Sequence, residues 1–314
     1  MKHLLSIESL SRDEILAILD LARVMKLTRG RHESHPLRHQ CWALMFSKSS
    51  TRTRVSFEVG IRELGGDVFF LAADDIQLGR GEPIADTARV LGRMCHGAVI
   101  RTFAQTDVED FARYSGIPTV NALTDGEHPC QILADLQTVV EGLGGFAGKV
   151  VTFIGDGACN VPLSWVWAAS KLDFELRIAA PHQYQPDPAV VARAFPSGNG
   201  GTGAHENANG GRLVITDDIE GACQDADVLY TDVWVSMGKE KEAEYRKAQL
   251  ARYQINEQLA QLAKPGALMM HCLPAYRGLE ITASIFEAHA DTIFTQAENR
   301  LHAQKAILAM LAAG

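Results

Sequence analysis

Hydroxyl and cationic side chains crowd one stretch, Ser47-Lys48-Ser49-Ser50-Thr51-Arg52-Thr53-Arg54, with no acid until Glu58. The apolar run Ala43-Leu44-Met45-Phe46 before it reads as a buried strand. After it, Val55/Val59 and Phe57/Ile61 are four apart, a helical spacing. A strand, a hydroxyl-rich turn and a helix start aim free backbone N–H groups and the positive end of a helix at one point. A phosphate or similar dianion suits that point. An ordinary Ser/Thr N-cap beneath a solvated basic face would use the same residues.

Other chemistry-bearing groups recur at the ends of predicted strands. Arg101-Thr102 follows 98–100, and His128-Pro129-Cys130-Gln131 follows 117–120 and opens a helix. Gly155-Asp156-Gly157-Ala158-Cys159-Asn160 follows 150–154, Asp232-Val233-Trp234-Val235-Ser236-Met237-Gly238 follows 228–231, and His271-Cys272-Leu273-Pro274 follows 267–270. In open parallel sheets, ligands bind beyond the carboxyl ends of the strands, so five strand ends could converge on one cleft. Each also has a plain alternative: His128 as a helix-start residue, Cys272 as a packed thiol, Asp232 as a turn cap. Gly155-Asp156-Gly157 is half of a dinucleotide fingerprint, but the third glycine would fall at Asn160, which weakens a nicotinamide-dependent oxidoreductase as the alternative function.

The elements that must position these groups alternate. Ser11-Arg12-Asp13-Glu14 is a capping box, and Ile15, Ile18, Leu19, Leu21, Ala22 and Met25 give the first helix its apolar stripe. Strands at 41–46, 68–71, 98–100 and 117–120 then alternate with helices from about 83, 108 and 129. After Glu141-Gly142-Leu143-Gly144-Gly145, a candidate joint, strands at 150–154, 176–180, 213–215, 228–231 and 267–270 continue the pattern. A helix from about 160 and a last helix over roughly 296–312 complete it. Alternation implies an α/β protein with two doubly wound parallel-sheet domains. Residues 197–211 hold six glycines and three asparagines and read as a mobile loop without chemistry.

Composition narrows the function class. The chain has 314 residues, enough for two domains, and is 46% hydrophobic and 22% charged, as soluble globular proteins are. A net charge of −8 argues against a nucleic-acid partner and makes the cations at 48–54 more pointed. Six scattered cysteines without a C-x-x-C pair argue against a zinc framework or a disulfide scaffold and suit reduced thiols in a cytoplasm. No apolar run reaches membrane-spanning length, and the first residues lack the apolar core of a signal peptide.

Taken together, Ser50-Thr51-Arg52-Thr53-Arg54, His128-Pro129-Cys130-Gln131-Ile132-Leu133-Ala134-Asp135, Asp232-Val233-Trp234-Val235-Ser236-Met237-Gly238 and His271-Cys272-Leu273-Pro274, in that order, resemble the aspartate/ornithine carbamoyltransferase family, ornithine branch, over nearly the whole chain. The resemblance implies two domains with the active site in the cleft between them. Residues 1–140, joined by a C-terminal helix at 290–314, would bind carbamoyl phosphate, and 141–289 would bind ornithine. It implies that Ser50, Thr51, Arg52, Thr53, Gln77, Arg101, His128, Gln131, Cys272, Leu273 and Arg300 hold carbamoyl phosphate, with Gln77 reaching in from a neighbouring subunit of a trimer. Asn160, Asp232, Ser236 and Met237 would hold L-ornithine, while Arg101, His128 and Cys272 serve the chemistry. It implies no cofactor and no metal, a homotrimer or a multiple of trimers, and a cytoplasmic role in arginine metabolism. The chain departs from the family pattern at Ser47, often Glu, at Cys159, usually Asn, and at Tyr276, more often His or Phe. Cys159 and the long loop at 197–211 leave modified ornithines, putrescine and aspartate as alternative second substrates.

Overall fold

The structure, a computed structural model, describes residues 1–31, 33–72, 81–196, 203–236 and 238–313. Its contacts divide the chain into two compact units, Met1–Gln137 with Glu298–Gly314, and Thr138–Ala297.

The first unit holds a four-stranded sheet of β1 (Cys41–Phe46), β2 (Asp67–Ala72), β3 (Gly97–Arg101) and β4 (Thr119–Leu123), in the order β2-β1-β3-β4 and parallel throughout. Its helices are α1 (Arg12–Leu27), α2 (Thr51–Glu63), α3 (Ile84–Leu91), α4 (Gln105–Ser115), the first part of α5 (Pro129–Leu143) and the end of the last helix of the chain. From β1 the chain steps one way to β2, then back past β1 to β3 and on to β4. With right-handed crossovers, α2 covers one face and α3 and α4 the other. The capping box at α1 forms: the Glu14 N–H donates to Ser11 Oγ at 3.1 Å, and the Ser11 N–H to Glu14 Oε2 at 2.9 Å. Phe57 and Ile61 of α2 are wholly buried, each worth about 1.5–3 kcal/mol of burial, while Val55, of the equally spaced pair Val55/Val59, is exposed.

The second unit holds β5 (Val150–Ile154), β6 (Glu175–Ala179), β7 (Gly203–Glu206), β8 (Arg212–Thr216), β9 (Val228–Thr231) and β10 (Leu268–His271). Their order is β10-β9-β5-β6-β8-β7, and only the β7–β8 pair is antiparallel. With them go α6 (Asn160–Lys171), α7 (Pro188–Ala194), α8 (Ile219–Cys223), α9 (Ala243–Leu250), α10 (Glu257–Leu262), α11 (Ala283–Ala288) and the start of α12 (Ala290–Ala313). The path runs outward from β5 through β6 to the edge strand β7, turns back into β8, then crosses to β9 and β10, so α6 and α7 cover one face and α8 to α10 the other. Phe153 stacks on Tyr230 with centroids 5.8 Å apart, and Trp165 meets Phe174 and Tyr230 edge-on.

The expected loop at 197–211 needs correction. Residues 203–206 form edge strand β7, and 197–202 lie outside the described residues. The polar side chains of this stretch are employed: Asn207 Nδ2 donates to the Ser170 and Ala194 carbonyls, and Asn209 Nδ2 to Ser170. They satisfy carbonyls at the ends of α6 and α7 that have no partner within their own helices. Arg212 pairs with Glu206 across the strands at 3.2 Å.

Candidate functional site

Each sheet reverses its direction of travel once, and a crevice opens there beyond the strand ends because neighbouring crossovers leave on opposite faces. In the first unit the reversal lies between β1 and β3, the strands that end at the Ser47 turn and at Arg101. The two ends are laced together by the Ser47 N–H donating to the Arg101 carbonyl at 2.8 Å. In the second unit it lies between β5 and β9, which end at Asp156 and Asp232.

In the first crevice Ser50 is the N-cap of α2, its Oγ accepting from the Thr53 N–H at 3.4 Å. The first turn contains no acid, and Thr51 and Arg52 are exposed on it. The cap of the plain reading is present, and the first turn of the helix carries cations and no acid. Arg54 takes no part, since its guanidinium bonds Glu58 at 2.6 Å and lies over the Phe70 ring. Lys48 is buried and reaches Asp125 at 2.5 Å.

Arg300, carried by α12, gathers the inner wall. Its Nη1 donates to Gln131 Oε1 at 2.6 Å and approaches His128 Nε2 at 3.5 Å, and its Nη2 donates to Thr53 Oγ1 at 3.3 Å. Gln131 is oriented by its own amide donating to Asp135 Oδ1 at 2.7 Å. Thr53, Arg101, His128, Gln131 and Arg300 are all buried. Burial holds the His128 imidazole well below its usual value, and the Arg300 and Arg101 guanidiniums add to that depression. His128 is therefore neutral at physiological pH. A guanidinium N–H can only donate, so Nε2 accepts and the ring proton sits on Nδ1. Cys130, beside them in sequence, is an inert packed thiol, pushed up to about 12 by burial.

In the second crevice Cys272 Sγ donates to Asp232 Oδ1 at 2.9 Å, and the same oxygen accepts the Val233 N–H at 2.7 Å. Burial raises the Asp232 carboxyl above the usual carboxylate range against the opposing pull of His271. Leu273 sits at φ 61°, a left-handed conformation costing a branched side chain about 1–3 kcal/mol. Its N–H is held by His271 Nδ1 at 2.9 Å. Asn160 opens α6, and Ser236 is half-buried in the loop after β9. Gln77 and Met237 lie outside the described residues.

Two residues here, Glu280 and Arg246, escape a reading of the sequence. Glu280 is wholly buried and accepts from His271 Nε2 at 3.1 Å and from the Tyr276 N–H at 2.5 Å, bracing the loop that carries Cys272. Asp156 is paired with buried Arg246, whose Nε also donates to the Trp234 carbonyl at 2.7 Å. That joins the turn after β5 to the loop after β9. The glycines flanking Asp156, suggestive of a nucleotide turn, serve the fold: Gly155 sits at φ 130°, and a Cβ on Gly157 would meet Ile178 Cγ2 at 2.6 Å. Asp232, His271 and Cys272 offer ligand atoms within 4.8 Å of one another, the composition of a metal site. Both His271 nitrogens are already engaged, Nδ1 by Leu273 and Nε2 by Glu280, so the ring has no lone pair to give a metal without breaking one of them.

In this two-unit α/β protein, an acid-free helix head lies at one switch point and an acid–thiol pair at the other. Comparison with known proteins makes the assignment: the chain belongs to the aspartate/ornithine carbamoyltransferase family. Residues 2–141 match that family's carbamoyl-P binding domain, and residues 147–311 its Asp/Orn binding domain. An ornithine carbamoyltransferase of Akkermansia muciniphila is 53% identical, over 99% of this chain and 98% of that protein. The solved ornithine carbamoyltransferase of Pyrococcus furiosus is 42% identical and superposes with a TM-score of 0.91, covering 100% of this chain and 97% of that one. An anabolic ornithine carbamoyltransferase of Campylobacter jejuni is 39% identical, with a TM-score of 0.91 over 99% of both chains. Among the described residues, no helix is long and apolar enough to cross a membrane.

Proposed function

We propose that the protein transfers the carbamoyl group of carbamoyl phosphate to the δ-amino group of L-ornithine, giving L-citrulline and phosphate. The observation that carries this reading is the gathering of Thr53, His128, Gln131 and Arg300 at the head of α2, within a chain of the carbamoyltransferase family. The phosphate binds the N–H groups of the first turn with Ser50, Thr51, Arg52 and Thr53, and Arg300 closes the inner side. Gln131 takes the carbamoyl amide, and Arg101 and the Nδ1–H of His128 donate to its carbonyl oxygen. Gln77 completes the set from a neighbouring subunit of a homotrimer, and Cys272 and Leu273 line the junction of the two substrates.

Ornithine is held by Asn160, Asp232, Ser236 and Met237, with the Asp232 carboxylate on its α-ammonium. The neutral δ-nitrogen attacks the carbamoyl carbon, forming a C–N bond while charge gathers on the carbonyl oxygen. Donors already in place stabilise that charge without reorganisation. Collapse breaks the C–O bond to phosphate, and the proton lost by the nitrogen goes to the departing phosphate. Cys272 forms no covalent intermediate; bonded to Asp232, it orients the amine.

Residues 1–140 with 290–314 form the carbamoyl-phosphate domain in this reading and 141–289 the ornithine domain, and the reaction requires both ligands to meet. A cytoplasmic place in arginine synthesis is supported by six cysteines with no disulfide and by the anabolic relative. The test is colorimetric detection of ureido product from carbamoyl phosphate with ornithine, acetylornithine, succinylornithine, putrescine and aspartate in parallel. Citrulline formation at the highest kcat/KM of the panel is expected. Preference for another amine, or no product, would overturn the assignment.

A further inference from the structure

The residue before His128 is a buried acid that the reaction does not use. Glu127 is 5% exposed, and its Oε2 accepts the N–H of Ile7 at 2.7 Å, across 120 residues of sequence. Ile7 ends a segment that runs beside β4. The Leu4 N–H donates to the Thr119 carbonyl at 2.9 Å, and the Asn121 N–H to the Leu4 carbonyl at 2.7 Å. The Leu5 carbonyl accepts from both Asn121 Nδ2 and Gln105 Nε2, at 2.9 and 3.1 Å.

The turn from β4 to α5 is tied at its other points too. Thr124 Oγ1 donates to Gln105 Oε1 at 2.7 Å and accepts the Glu127 N–H at 3.1 Å, while the Thr124 N–H donates to the Glu127 carbonyl at 2.9 Å. Asp125 meets Lys48 of the phosphate turn at 2.5 Å. Gly126 gives the turn little stiffness of its own. The Glu127 side chain fastens it to the N-terminal segment beside His128, and a buried acid is tolerated there because it is hydrogen-bonded.

We propose that Glu127 is a positioning residue: its bond to the Ile7 N–H lets the N-terminal segment set the direction in which His128 faces the carbamoyl oxygen. The proposal rests on the role given to His128 above and adds the device that aims it. The experiment compares the full-length protein with Glu127→Ala, Glu127→Gln and the control His128→Asn. It reads kcat, both KM values and the thermal midpoint.

Glu127→Ala is expected to lower kcat/KM for carbamoyl phosphate about ten- to a hundredfold while the ornithine KM stays within about twofold. Glu127→Gln, whose amide oxygen can still accept from Ile7, is expected within about threefold of the parent. If Glu127→Ala does not fold, Glu127→Asp, a methylene short of Ile7, replaces it with the same expected loss. Full activity in His128→Asn would overturn the role of His128 and the proposal with it. A damaged His128→Asn beside an unaffected Glu127→Ala would overturn the proposal alone. So would Glu127→Gln as damaged as Ala, or an equal rise in ornithine KM.

Discussion

Replacing Asp232 with Asn separates the cost of this carboxylate to the fold from its use in binding. Oδ1 already accepts from Cys272 Sγ and the Val233 N–H, and the amide oxygen of Asn can take over both bonds. What disappears is the negative charge facing the ornithine α-ammonium. A charge-assisted bond of this kind is worth about 1.5–3 kcal/mol. At about 1.4 kcal/mol per decade, the ornithine KM should rise roughly ten- to a hundredfold. The KM for carbamoyl phosphate should stay within about twofold. Stability should move the other way. Burial raises the Asp232 carboxyl in the folded state, so the folded protein holds its proton more tightly than the unfolded chain. Its contribution to stability therefore falls as pH rises from the ordinary carboxylate value through the raised one, and at neutral pH the ionised group is a net cost. Asn removes that cost, so the thermal midpoint at pH 7.5 should be unchanged or higher. Citrulline assays at varied ornithine and a thermal melt decide it. A lower midpoint with an unaltered ornithine KM would refute the reasoning, because Asp232 would then be a structural acid.

Because burial and two guanidiniums hold His128 well below its usual value, the pH profile of kcat/KM for carbamoyl phosphate should lack an acid limb near about 6.5, the unperturbed histidine value. A limb there that vanishes in His128→Asn would contradict the neutral ring. Arg300→Lys should weaken carbamoyl phosphate binding at least about tenfold by calorimetry, since an ammonium cannot span Gln131, Thr53 and the ligand as a planar fork does; undiminished binding would remove Arg300 from the site. Gly157→Ala should destabilise by about 1–3 kcal/mol in urea melts, because the added methyl meets Ile178 Cγ2 at 2.6 Å and the Tyr184 carbonyl at 2.9 Å; an unshifted midpoint would show that the turn can give way.

Local patterns were legible wherever neighbours in sequence are neighbours in space. The Ser11–Glu14 capping box and the α2 pair Phe57 and Ile61 lie within a few residues. The alternation of strands and helices gave parallel sheets, and strand-end logic led to the crevices. Braces between distant segments left no periodic trace. Glu280 supports His271 from a loop nine residues on, Arg246 reaches Asp156 across 90, and Glu127 reaches Ile7 across 120. Composition misled at β7, where glycine and asparagine suggested a loop. There the backbone pairs with β8, and the asparagines work as caps on neighbouring helices.

Arg300 belongs to a segment, Glu298–Gly314, that returns to the first unit after the whole of Thr138–Ala297 has been laid down. Translation proceeds at about 5–20 residues per second, with domains folding as they emerge. The second unit is therefore complete on the ribosome before the first can close its anion cradle. Until α12 arrives, Thr53, His128 and Gln131 lack the guanidinium that gathers them, and Glu63 lacks Lys305, which bonds it at 2.6 Å. A nascent chain that stops short of Arg300 would hold the strands of both sheets and the helix head at Ser50, yet lack the guanidinium that joins Thr53 to Gln131.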